Sequence, residues 1–91
     1  MSKDFAYQNA NIVKTTTLDQ LAVGDECVIV DCSLPAVLKT RLEEMGLTRG
    51  AAVTVLKFAP LGDPMEIQVR GYSLCIRKET ARCFAVARGV V

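Results

Sequence analysis

The amino-acid sequence predicts a mainly β domain, a small barrel with one inserted α-helix, and three observations point to it. Only one stretch, about residues 34–45, repeats apolar residues at three- and four-residue spacing. After that stretch come short β-branched or alternating runs separated by turn residues. The chain has 91 residues, room for one domain and too few for two.

The first residues, rich in Asn, Gln and Lys, show no period, and residues 1–16 are read as a flexible tail ahead of a domain over 17–91. Thr17-Leu18-Asp19-Gln20-Leu21 reads as a short helical turn, capped by Thr17 or Thr16 and with Leu18 and Leu21 on one side. Gly24-Asp25 breaks it and opens a strand from Glu26 to Asp31. There Cys27 and Ile29 face one way and Val28 and Val30 the other.

Ser33-Leu34-Pro35 is a helix start, with Ser33 as the cap and proline in the first turn, where its missing N–H is harmless. Leu34, Leu38, Leu42 and Met45 then form one apolar stripe, expected to pack on the barrel. Gly46 comes next as a left-handed C-cap, with Leu47 closing the hydrophobic contact.

Ala52 to Phe58 is rich in β-branched and aromatic residues and reads as a strand. Ala59-Pro60-Leu61-Gly62-Asp63-Pro64 is a turn. Met65 to Arg70 alternates, with Met65, Ile67 and Val69 inward, and Gly71-Tyr72 is a tight reversal. Tyr72 to Arg77 is the next strand, with Leu74 and Ile76 inward. Lys78 to Arg82 is one helical turn, and Phe84-Ala85-Val86 closes the series. Strands joined by hairpins around one helix are the arrangement of a small barrel.

Composition narrows the function classes. The chain is 51% hydrophobic and 23% charged, as in a globular protein. No apolar run approaches the roughly 20 residues that span a bilayer, so it is not expected to insert in a membrane. The start lacks a signal-peptide apolar region, and a cytoplasmic location is the resulting expectation. The net charge of +1 exerts no global pull on nucleic acid. The halves differ, with four Lys/Arg against seven Asp/Glu in residues 1–45 and seven against three in residues 46–91.

An enzyme is not expected. The chain has no His, the commonest base for a Ser or Cys nucleophile. Gly46 to Gly50 lacks the spacing of a phosphate loop, and Glu43 and Glu44 point about 100° apart on their helix. The four cysteines, Cys27, Cys32, Cys75 and Cys83, contain no Cys-x-x-Cys. They are read as small buried hydrophobes, above all Cys27 and Cys75 within strands, with a four-thiolate metal site as the alternative.

Four segments carry a resemblance: Leu18-x-x-Leu21-x-x-Gly24, Arg41-Leu42-x-x-Met45-Gly46-Leu47-x-x-Gly50, Ala59-Pro60-Leu61-Gly62-Asp63-Pro64, and Arg70-Gly71-Tyr72-x-Leu74-x-Ile76-Arg77-Lys78. Together, from about Leu18 to Val86, they resemble the FeoA family. That resemblance implies a five-stranded SH3-like barrel with an inserted helix. It implies an accessory protein of ferrous iron uptake that docks on the cytoplasmic side of a membrane ferrous iron permease, a FeoB-like GTPase. The same domain is appended to metal-dependent repressors, and sixteen residues ahead of it are too few for a helix-turn-helix. Cys75 departs from the family, which tends to have a small polar residue there.

Partner binding is assigned to Leu61, Pro60 and Asp63 at the turn and to Arg41, Met45, Leu47 and Tyr72 near the helix. Leu61 is the key residue, since an apolar side chain at a turn tip is hard to bury; folding back over the barrel mouth is its other reading. Arg41 matches the family motif and has Glu43 and Glu44 as alternative ion-pair partners. Gly24, Gly46, Gly50, Gly62 and Gly71 are assigned to backbone geometry. No cofactor is expected, a weakly bound divalent metal being the exception left open. Two other readings stand: a nucleic-acid-binding barrel using Arg70, Arg77, Lys78, Arg82 and Arg88, and a thiol-based metal carrier or sensor. Whether the chain forms a homo-oligomer is open.

Overall fold

Alternation of apolar and polar residues builds the sheet, and the sheet builds the core. The computed structural model describes residues 14–88. The strands are β1 (Lys14–Thr17), β2 (Glu26–Cys32), β3 (Ala52–Phe58), β4 (Met65–Val69), β5 (Tyr72–Ile76) and β6 (Phe84–Arg88). A 3-10 turn covers Leu18–Gln20, α1 covers Ala36–Glu44 and α2 covers Lys78–Ala81. All strand pairs are antiparallel, in the order β1-β6-β2-β3-β4-β5.

Cys27 and Ile29, Val53 and Val55, Met65, Ile67 and Val69, Ile76, Phe84 and Val86 are buried and form one cluster with Leu18, Leu21, Leu47 and Ala81. A flat six-stranded sheet would leave such a face wet, because a 3-10 turn and a four-residue helix are too small to cover it. The sheet therefore curls around its own apolar face. This is the SH3-like small barrel with one inserted helix that the sequence leads one to expect, with six strands in place of five.

The extra strand is β1. The tail expected over residues 1–16 ends inside it, because Lys14 to Thr17 pair with Arg88 to Ala85 of β6. Its three consecutive threonines carry no apolar signal, so a distant partner alone makes it a strand. Residues 1–13, the remainder of that expected tail, lie outside the described residues. Thr17 does not cap the turn with its side chain; its hydroxyl donates to Asp19 Oδ1 at 2.6 Å.

The helix starts later than expected and packs less. Its N-cap is Pro35, with no side-chain cap, and the Ser33 hydroxyl instead donates to the Cys83 carbonyl. No residue of α1 is fully buried. Leu34 and Leu42 rest against the core, while Val37 (74% exposed), Leu38 and Met45 face out.

What holds α1 is its C-terminus. Leu47 N–H donates to Leu42 O and Gly46 N–H to Glu43 O, the two bonds of a Schellman cap, with Gly46 at φ 105°. The β4–β5 hairpin then grips that end. The Tyr72 hydroxyl donates to Met45 O, Arg70 Nε to Gly46 O at 3.5 Å and Arg70 Nη2 to Thr48 Oγ1 at 3.2 Å. A guanidinium at a helix C-terminus also complements the negative end of the helix dipole. The reversal itself lies at Arg70-Gly71, one residue earlier than expected, because both hold positive φ and Tyr72 is already paired with Val69.

Candidate docking surface

The residues proposed from the sequence for partner contact fall into two groups at opposite ends of β4. At one end, Ala59-Pro60-Leu61-Gly62 is a tight turn closed by Gly62 N–H on Ala59 O at 2.7 Å. It lifts Leu61 away from the barrel, leaving the side chain 96% exposed. Leu61 therefore does not fold back over the barrel mouth. Pro60 is exposed beside it. Asp63 has a different job, since its carboxylate accepts the Lys78 N–H at 2.9 Å and ties the loop to α2.

At the other end stand Met45 and Tyr72, half-exposed and bonded to each other through the Tyr72 hydroxyl. Arg41 lies one turn before Met45 on the same helix face, exposed, and pairs with neither Glu43 nor Glu44. Val37 and Leu38 extend this exposed apolar face toward the start of α1. Leu47 does not belong here. It is 2% exposed and part of the core, because the cap that reverses the chain at Gly46 drives the next apolar side chain inward.

Beneath α1, Ile29, Asp31, Cys32, Lys39, Glu43, Leu47 and Arg49 line a cavity of about 170 Å³. Its charges are mixed, and Asp31 and Arg49 approach to 3.7 Å.

The cysteines do not converge on one site. Cys27 is buried in the core and Cys75 is exposed on β5, while Cys32 and Cys83 line a cavity of about 150 Å³ where β2 meets the start of β6. Among the described residues no three His, Cys, Asp or Glu side chains are placed to hold a metal ion. Cys75 overturns the expectation of burial, since its inward neighbours Leu74 and Ile76 force it outward by alternation.

Burial pushes the Cys27 thiol from an ordinary 9 up to about 11, and the Asp25 charge adds to the effect. Below pH 9 the thiol is neutral in both folded and unfolded chain. Above it the unfolded chain releases the proton first, so stability falls as pH rises from 9 toward 11. The melting temperature of wild type is expected to fall more steeply across that window than that of Cys27→Ala. Parallel slopes would show that the thiol titrates freely. In the folded protein an alkylating reagent at pH 8 is expected to label Cys75 first and Cys27 last.

The basic residues of the second half do not make one stripe. Arg82 pairs with Asp19 and Arg88 with Asp25, Arg70 is engaged with the end of α1, and Lys78 Nζ lies 4.9 Å from the centre of the Phe58 ring. Sequence reasoning missed the outer edge of β5, which runs from Tyr72 to the α2 end of the Leu61 loop. The signal was its uncharged composition, Tyr72-Ser73-Leu74-Cys75-Ile76.

The chain as a whole is similar to known proteins. The profile of the FeoA domain matches residues 16–88. A Fe(2+) transport protein A/Fe(2+) transporter FeoB fusion protein of Porphyromonas gingivalis is 38% identical over 64 residues, which is 70% of this chain and 8% of that protein's length. The solution structure of the FeoA protein from Chlorobium tepidum is similar with a TM-score of 0.77 and 36% identity, covering 80% of this chain and 70% of that one. A FeoA-like protein from Clostridium acetobutylicum gives a TM-score of 0.74 at 26% identity, over 88% of this chain and 91% of that one. The match extends from β1 to the end of β6, and the chain belongs to the FeoA family, associated with ferrous iron transport.

Proposed function

We propose that this chain is a cytoplasmic accessory protein of ferrous iron uptake, without catalytic chemistry of its own, that docks onto the cytoplasmic part of a FeoB-like, GTPase-linked permease. One observation carries the reading. In the Porphyromonas gingivalis relative, transport protein A and the FeoB transporter are one polypeptide. A covalent link keeps two parts at an effective concentration in the mM range. Stable association of the two parts also needs a docking surface between them. The exposed Leu61 tip and the Val37, Leu38 and Met45 face of α1 are apolar groups that the fold leaves unused, which supports such a surface. Among the described residues no helix is long and apolar enough to cross a membrane.

Calorimetric titration against the cytoplasmic portion of the permease from the same organism, with and without GTP, tests the reading. Saturable binding is expected, weakened at least tenfold by Leu61→Asp, with the melting temperature within about 2 °C of wild type because the side chain is solvated in either case. A large drop in melting temperature would show that Leu61 is core. No binding, even to the full-length permease in detergent, would overturn the docking function.

A further inference from the structure

Strand β5 is an edge: it pairs with β4 and, among the described residues, with no strand on its other side. The hairpin settles which of its backbone groups are free. Arg70 and Gly71 have φ of 53° and 84°, the two positive values of a type I′ turn, which closes on a hydrogen-bonded pair, here Val69 and Tyr72. Hydrogen-bonded and open pairs alternate along an antiparallel ladder. The N–H and C=O groups of Ser73 and Cys75 therefore point away from β4, and among the described residues no loop or turn bonds to them.

Natural sheets blunt an edge with proline, a charged residue or a bulge. β5 contains neither proline nor a charged residue, and its register with β4 runs unbroken, unlike β2–β6 and β3–β4. Charge stands at its two ends instead, Arg70 at one and Arg77 and Lys78 at the other. Among the described residues none of these three side chains forms an ion pair with a carboxylate, Lys78 meeting Asp63 through its backbone N–H, whereas Arg49, Lys57, Arg82 and Arg88 each form one. The strand also joins the two candidate patches. Tyr72 at its start holds Met45, and Lys78 just past its end is bound to Asp63 of the Leu61 loop.

We propose that the partner adds an extended segment to β5 as a seventh strand. The segment has about five uncharged residues, with an acidic residue at each end to meet Arg70 on one side and Arg77 and Lys78 on the other. Backbone bonds to Ser73 and Cys75 hold it, and the flanking charges set its register. Self-pairing of two copies through the same groups would place Arg70 of one opposite Lys78 of the other, so charge favours an acidic segment over a second copy. This inference rests on docking to the permease and names how that contact is made.

Two variants test it against the permease's cytoplasmic portion. Ser73→Pro removes an outward N–H and leaves the β4–β5 ladder whole. Arg77→Glu reverses the charge at one end, at an exposed side chain. Each is expected to lose at least tenfold in affinity with a melting temperature within a few degrees of wild type. Amide hydrogen exchange at Ser73 and Cys75 is expected to slow at least tenfold in the wild-type complex. Wild-type binding by either folded variant, or unchanged exchange, overturns strand addition and leaves docking standing. Absence of binding by wild type overturns docking and this inference with it. A concentration-dependent dimer abolished by Ser73→Pro assigns the edge to a second copy and overturns the acidic partner. Should Ser73→Pro fail to fold, Arg77→Glu and the exchange measurement decide.

Discussion

Phe84→Ala is expected to destabilise the domain by about 3–5 kcal/mol, as removal of a buried aromatic ring does. The residue is 1% exposed and is the largest of the fully buried side chains. Its position makes the loss global. β6 pairs with β1 on one side and β2 on the other, so the ring sits on the strand that ties these two together. The opposing residue on β2 is Cys32, too small to fill the space that the ring would leave. A domain of this length has roughly 5–14 kcal/mol in total. At about 4–8 °C per kcal/mol for a small domain, the melting temperature should fall by about 12–40 °C. Scanning calorimetry or urea unfolding checks this, with Phe84→Leu as a milder control. A drop under about 5 °C would mean that the core does not centre on this residue.

The core around Phe84 is largely legible in the sequence. Alternation of apolar residues places Met65, Ile67, Val69 and Ile76 inside, because a strand with one wet face leaves that pattern along its own length. In β2, apolar on both faces, it separates Cys27 and Ile29 from Val28 and Val30 without telling which pair is buried. The cap at Gly46 is equally legible, since helix end, glycine and the leucine after it are neighbours in the chain. The helix face is less so. Spacing predicts one apolar stripe over Leu34, Leu38, Leu42 and Met45, but not that the helix starts only after Leu34 or that, of the four, only Leu34 and Leu42 rest against the core.

The surface is harder to read. Leu61 can be placed at a turn tip but not shown to be free, because that depends on how the turn closes. Leu47 looks like surface beside the helix, although the cap it belongs to draws that residue inward. Arg70 shows the largest gap. Its bonds to Gly46 and Thr48 cross more than twenty residues of chain, and no local pattern announces them. That the residues proposed for partner contact form two groups, joined by the edge of β5, depends on the register of β4 with β3 and β5, which is a property of the pairing.

Gly46→Val is expected to cost about 3 kcal/mol, for two separable reasons. The backbone there holds φ 105°, where a β-branched L-residue is strained by about 1–3 kcal/mol. A Cβ would also lie 2.9 Å from Cδ and 3.1 Å from Nε of Arg70. The arginine is flexible enough to move aside, but moving removes its bonds to Gly46 O and Thr48. The hairpin's grip on α1 then loosens at the end where the helix is held, and with no fully buried residue α1 has little else to keep it in place. The melting temperature should drop by about 12–24 °C, with faster hydrogen exchange at the Gly46 and Leu47 amides. The two causes separate in a double-mutant cycle with Arg70→Ala. If the crowding counts, Gly46→Ala costs measurably less when Arg70 has already been truncated, and if backbone strain alone counts, the two costs are equal. A loss below about 1 kcal/mol for Gly46→Val in the wild-type background would mean that the helix end relaxes freely, and that neither the cap nor the arginine holds α1 to the barrel.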